Sequence, residues 1–154
     1  MKSIQDEIKQ TRPFASLESE AAISLARTAA VMENAFADLI KPYGITPTLY
    51  NILRILRGAG ESGLCRYEVA DRMVTVAPDV TRLLDRLERR GYITRERASV
   101  NRRLVRATIT AAGLDLLDRL DDAVEEFNTR QFGHLGRERL EALLETLAAT
   151  RTSN

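Results

Sequence analysis

Cysteine and histidine are almost absent, with Cys65 and His134 the only examples in 154 residues. One thiol cannot close an internal disulfide, and the pair cannot build the usual Cys/His zinc cage, so no metal is expected. Long apolar runs are missing too: no stretch approaches the roughly 18 uncharged residues of a membrane span. The opening MKSIQDEIKQ has none of the apolar core of a secretory signal. A cytoplasmic protein with no membrane partner is expected. No glycine-rich phosphate loop follows a strand, and one histidine among scattered carboxylates makes no catalytic set. Neither an enzyme nor a cofactor is therefore expected. Internal repeats and low-complexity segments are lacking as well, and the length suits a single domain, 1–154.

What the chain does have is charge, unevenly spread. Residues 1–40 carry 4 basic and 6 acidic side chains, residues 41–110 carry 14 and 7, and residues 111–154 carry 5 and 9. The basic middle has the character of a phosphate-contacting module, because neutralised phosphates release condensed counterions. Of its 14 basic residues 13 are arginine, the side chain suited to bidentate phosphate and guanine contacts.

Helical spacing dominates the pattern. Ser16 to Ile40 contains no proline or glycine, and Leu17, Leu25, Met32, Phe36 and Leu39 recur at helix-compatible offsets. Thr46 and Pro47 supply an N-cap and a first-turn proline for a second helix. Its Leu49, Ile52, Leu53 and Leu56 share one face. Two short helices follow: Arg66 to Met73, burying Val69, Ala70 and Met73, and Pro78 to Arg90, burying Val80, Leu83, Leu84 and Leu87. Their linker, Val74 to Ala77, suits the tight turn of a helix-turn-helix. After Gly91 the period becomes two, so Tyr92–Arg97 and a run through Val105, Ala107 and Ile109 form a hairpin with its tip at 98–101. Thr110 caps a further helix carrying Leu114, Leu117, Leu120, Val124 and Phe127. A last helix carries Leu140, Leu143, Leu144 and Leu147. The expected fold is mainly α with a small β-hairpin wing (α+β), in the order α-α-α-α-β-β-α-α.

The chemistry concentrates in the third quarter of the chain. Projected as a helix, APDVTRLLDRLERRG places Asp79, Thr81, Arg82, Asp85, Arg86 and Arg89 opposite its apolar side. The major groove admits one helix, where arginine pairs with guanine and threonine meets a thymine methyl or a phosphate. Arg82 and Arg86, one turn apart, are the candidate base readers. Asp79 is positioned to orient Arg82 or to accept from a cytosine amino group, and Pro78 opens the helix. A solvated face laced with ion pairs accounts for this helix equally well. The hairpin tips the balance, because Arg95, Arg97, Arg102, Arg103 and Arg106 crowd its strands and tip. An arginine at a wing tip can enter a narrow minor groove.

The strings VTRLLDRLERRGYITRE, NRRLVRATIT and AAG together resemble the recognition helix, wing and following helix start of the MarR family of regulators. Upstream, TPTLYNILRIL is similar to the family's second helix and EVADRM to its third. The resemblance covers nearly the whole chain from Ser16. It implies a winged helix-turn-helix lobe at 46–109, flanked by dimerisation helices at 16–40 and 111–150. It further implies a homodimer that binds a pseudo-palindromic double-stranded DNA operator and acts as a sequence-specific transcription regulator, a repressor relieved by a ligand. The family's wing motif usually reads Asp-Arg-Arg, with the second arginine in the minor groove. Here the positions are Asn101, Arg102 and Arg103, so the key arginine has lost its charged partner.

Family members often bind a small aromatic or phenolic anion between the dimer helices and the winged lobe. Phe36, Tyr43, Tyr50 and Arg66 are the candidate pocket residues, although core packing, or a phosphate contact for Arg66, suits them equally. Redox-sensing relatives carry their cysteine near the first helix, which Cys65 does not match, so a structural thiol is expected. His134 reads as a cap or surface residue. A winged-helix module that docks proteins without specific DNA binding remains the alternative function.

Overall fold

The computed structural model describes residues 2–97 and 104–152. Its elements are α1 (Ile4–Glu7), α2 (Leu17–Ile40), α3 (Pro47–Ala59), β1 (Leu64–Cys65), α4 (Arg66–Arg72), α5 (Val80–Arg89), β2 (Ile93–Arg97), β3 (Val105–Ile109), α6 (Ala111–Phe132) and α7 (Arg137–Thr152). Short 3₁₀ turns follow α2, α3 and α6. The chain forms two compact units, residues 1–47 and 48–154.

The first unit is governed by α2. Ser16 stands at its N-cap and accepts a hydrogen bond from the Ser19 N–H at 3.2 Å, satisfying one donor of the opening turn. Along the helix Leu17, Ile23, Leu25 and Val31 remain exposed.

In the second unit the stripe Leu49, Ile52, Leu53 and Leu56 of α3 is buried, as its i, i+3, i+4, i+7 spacing requires. Val80, Leu84 and Leu87 of α5 are buried with Val69, Ile93 and Ala107, and α6 buries Leu116, Leu117, Leu120, Val124 and Phe127. An ion pair ties α3 to α6: the Arg57 guanidinium donates to both carboxylate oxygens of Asp121, at 2.7 and 2.9 Å. That bond holds the Asp121 carboxyl below its usual range and raises Arg57.

Three expectations need correction. Leu83 is half-buried rather than core, Ala70 is exposed and Met73 half-buried, because α4 has only two turns and buries Val69 alone. Leu114 stays exposed, and Leu116 takes its place in the core. The hairpin is also the larger part of a sheet of order β1-β3-β2, all antiparallel. Strand β1 has two residues, too few for a periodic signal, and sets Leu64 opposite Ala107 and Cys65 opposite Arg106.

Two glycines let these pieces meet. Gly63 turns the chain into β1 at φ 57° and ψ −176°, a conformation essentially confined to glycine. A Cβ there would lie 2.6 Å from both the Ala107 carbonyl oxygen and Thr108 Oγ1. At Gly113 a Cβ would collide with the Tyr92 carbonyl oxygen and sit 2.7 Å from Ile109 Cγ1, so the start of α6 packs backbone-close on the hairpin base. Thr110 completes that junction by capping α6 through the Gly113 N–H at 3.2 Å while its hydroxyl donates to the Gly91 carbonyl at 2.6 Å.

Gly63→Ala is expected to destabilise the protein by about 2 to 4 kcal/mol, from backbone strain plus the clash. Gly58→Ala, in α3 with open space around it, should instead stabilise by up to about 1 kcal/mol. Urea midpoints of the two variants check both signs; equal midpoints would contradict this account of Gly63.

Candidate nucleic-acid interface

Helix α5 follows α4 after the seven residues 73–79 and is started by Asp79, whose Oδ1 accepts from the Arg82 N–H at 3.0 Å. Asp79 therefore caps the helix with the oxygen that the sequence reading had assigned to a base or to the Arg82 side chain. Pro78 lies just before the cap, exposed. Beyond it Thr81, Arg82, Arg86 and Arg89 are exposed on α5 while Val80, Leu84 and Leu87 hold it to the lobe. Neither the Arg82 nor the Arg86 guanidinium has an ion-pair partner among the described residues. Both line an open concavity of about 750 Å³ together with Val76, Pro78, Asp79 and Arg89.

Thr81 borders a different concavity, of about 350 Å³, with Arg66, Tyr67 and Arg95. The structure thus separates Thr81 from the arginines it was grouped with: one residue is 100° of helix, enough to turn it toward α4.

The wing arginines divide into two kinds. Arg95 shares the inward face of β2 with buried Ile93, two residues before it, and reaches α5, donating to Glu88 Oε2 at 2.6 and 2.9 Å and pairing with Asp85 at 2.5 Å. Arg106, on the opposite face of β3 from Ala107, turns toward β1. Its Nε donates to the Ser62 carbonyl at 2.7 Å and its Nη2 to the Gly63 carbonyl at 2.8 Å, with Glu68 3.6 Å away. Glu68 is itself fixed by the Cys65 N–H at 2.7 Å, and that bond, with Arg106 nearby, lowers its carboxyl below the usual range. Arg106, expected on the DNA, is thus occupied inside the lobe, and two of the five hairpin arginines are internally compensated. Arg97 ends β2, exposed. Asn101, Arg102 and Arg103 lie outside the described residues.

Sequence reasoning passed over Glu68 and Asn51. Glu68 stands three residues after Cys65, the spacing of a capping pair, which was the available signal. Asn51 Oδ1 accepts from the Val74 N–H at 3.0 Å and pins the helix-turn-helix turn to α3; this long-range bond leaves no local trace. Of the proposed effector residues, Phe36 and Tyr43 belong to the first unit, both half-buried. Tyr50 and Arg66 belong to the second, where buried Tyr50 accepts from Arg54 at 3.0 Å and Arg66 is exposed. The Cys65 thiol is buried. Among the described residues no helix is long and apolar enough to cross a membrane.

Two short helices joined by a seven-residue connection, braced by α3 and followed by a basic hairpin, define a winged helix-turn-helix. A sequence model of the MarR family matches residues 45–105. The HTH-type transcriptional regulator YkoM of Bacillus subtilis is 32% identical over 112 residues, 70% of this chain and 71% of YkoM. A MarR transcription factor from Planctomyces limnophilus is 37% identical, with TM-score 0.66 over 89% of this chain and 99% of that one. The repressor CouR, solved on a 23-mer DNA duplex, is 26% identical, with TM-score 0.79 over 92% of this chain and 99% of its own. The chain belongs to the MarR family of DNA-binding transcriptional regulators and is not an enzyme.

Arg106→Met should lower stability by about 2 kcal/mol or more, since it strips the Ser62 and Gly63 carbonyls of their donor and Glu68 of its ion-pair partner. Arg86→Ala, at an unpaired exposed site, should change it by less than about 0.5 kcal/mol. Thermal melts of both variants decide this; equal, small shifts would show that Arg106 holds nothing together.

Proposed function

We propose that the chain represses transcription in the cytoplasm by binding a pseudo-palindromic operator as a homodimer, with α5 in the major groove of each half-site. The exposed, unpaired guanidiniums of Arg82 and Arg86 on a helix held to its lobe by Val80, Leu84 and Leu87 carry this reading, because that pair can address guanine O6 and N7. Thr81 supplies a phosphate or methyl contact at the helix edge, and Pro78 and Asp79 set the helix start. Arg97, Asn101, Arg102 and Arg103 serve the wing and its approach to the minor groove, while Arg106 supports it from within. Arg86→Ala should weaken binding to a selected site by about 1 to 3 kcal/mol, and Arg103→Ala should reduce the salt dependence by about one counterion. Fluorescence anisotropy across a salt series checks both. Unchanged affinity in both variants would sink the proposal and favour the protein-docking alternative.

The homodimer rests on apolar surface that a lone chain leaves wet. On α7 Leu144 is 65% exposed. With Leu140, Leu143, Leu147 and Phe132 it lines a groove of about 390 Å³ within the second unit. Leu144→Glu should shift the sedimenting species toward the 17.3 kDa monomer and weaken operator binding together with it. A wild-type chain that sediments as a monomer would contradict the dimer.

The effector of this reading is a small aromatic or phenolic anion. CouR from Rhodococcus jostii RHA1, 23% identical, has been solved with p-coumaroyl-CoA bound, which supports the ligand class. A ligand releases DNA only through its differential affinity for two conformations. Phenolic acids should therefore raise the melting temperature and weaken operator binding in parallel, and a flat response across a panel would remove this part.

A further inference from the structure

The helix-turn-helix turn holds a feature that the arginines do not explain. Val74 and Val76 are 88% and 93% exposed, the highest values among the large apolar side chains of the described residues. Valine is a poor choice for an exposed turn: it has neither the φ freedom of glycine nor the local hydrogen bonding of asparagine or serine. No burial rewards it here. The turn is nevertheless fixed, because Asn51 on α3 accepts the Val74 N–H at 3.0 Å. A turn anchored at Val74 therefore presents branched apolar groups to solvent.

Their surroundings define the partner. Val76 and Pro78 line the same concavity as Arg82, Arg86 and Arg89, so whatever covers Val76 also faces cationic walls and is a polyanion. Within the major groove of duplex DNA the apolar group available is the C5 methyl of thymine. Resting on the regulator reading above, we infer that Val76, backed by Pro78, reads a thymine methyl at the edge of each half-site. Arg82 and Arg86 select guanines, and the turn adds an A·T requirement that arginine cannot supply. This extends the specificity surface upstream of α5 into residues 76–78.

The test removes the methyl without touching the protein. The full chain selects duplexes from a random pool, and the selected sequence is synthesised with thymine and again with uracil, which pairs identically but lacks the C5 methyl. Wild-type affinity should fall about fourfold for each methyl lost from contact. Val76→Ser should bind the thymine duplex with that weaker affinity, and its thymine-to-uracil ratio should fall by the same factor. Arg86→Ala should bind both weakly and keep the wild-type ratio. Melting temperatures confirm that Val76→Ser is folded. A wild type indifferent to uracil, or a Val76→Ser variant that keeps the wild-type ratio, overturns the inference while leaving the regulator reading intact. A pool that never enriches overturns the regulator reading itself, and this inference with it.

Discussion

The geometry of the winged lobe depends on where the Arg106 guanidinium goes. By taking the Ser62 and Gly63 carbonyls it fastens the chain entering β1 to β3, and through Glu68 it engages the start of α4. The hairpin is thereby joined to the helix-turn-helix on the side away from α5. The other side is closed by Arg95, whose bonds to Asp85 and Glu88 tie β2 to α5. Charge-assisted hydrogen bonds to backbone carbonyls and partly buried carboxylates are directional, so they fix an angle between elements where apolar packing would only hold them in contact. Strands β2 and β3 are thus tied to α5 and to the chain entering β1 respectively.

That arrangement divides the arginines by task. Arg95 and Arg106 are internal ties, whereas Arg82, Arg86 and Arg89 face outward from α5. A charge count along the chain gives every arginine equal weight. Once the internal ties are discounted, Arg82, Arg86 and Arg89 remain as a cluster of outward cations on α5.

Much of this was legible beforehand, for definable reasons. The long helices were readable because apolar periodicity over several turns overrides local noise, and the caps at Ser16 and Thr110 stand where side-chain oxygens satisfy the first-turn amides. The hairpin was readable from its switch to period two. The same rule places Arg95 on the face of Ile93, so its inward course was already implicit in the alternation, yet the concentration of like charge there drew the eye first. Strand β1 was invisible because two residues have no period and its identity lies in pairing with a strand more than forty positions away. Asp79 carries two readings for a related reason: an aspartate ahead of a helix is both a plausible base contact and a good cap, and its Oδ1 serves the Arg82 amide.

The carboxylates that hold Arg95 have a consequence for how such a protein can diverge. Asp85 and Glu88 occupy α5 positions committed to the wing, so changing them in search of a new target would loosen the hairpin at the same time. Positions 82 and 86 carry no such obligation and can vary while the scaffold persists. Descendants of this chain can therefore acquire new addresses on a genome through a handful of outward positions, and drift at Asp85, Glu88 or the buried stripe is penalised first as misfolding, before it is ever tested as recognition.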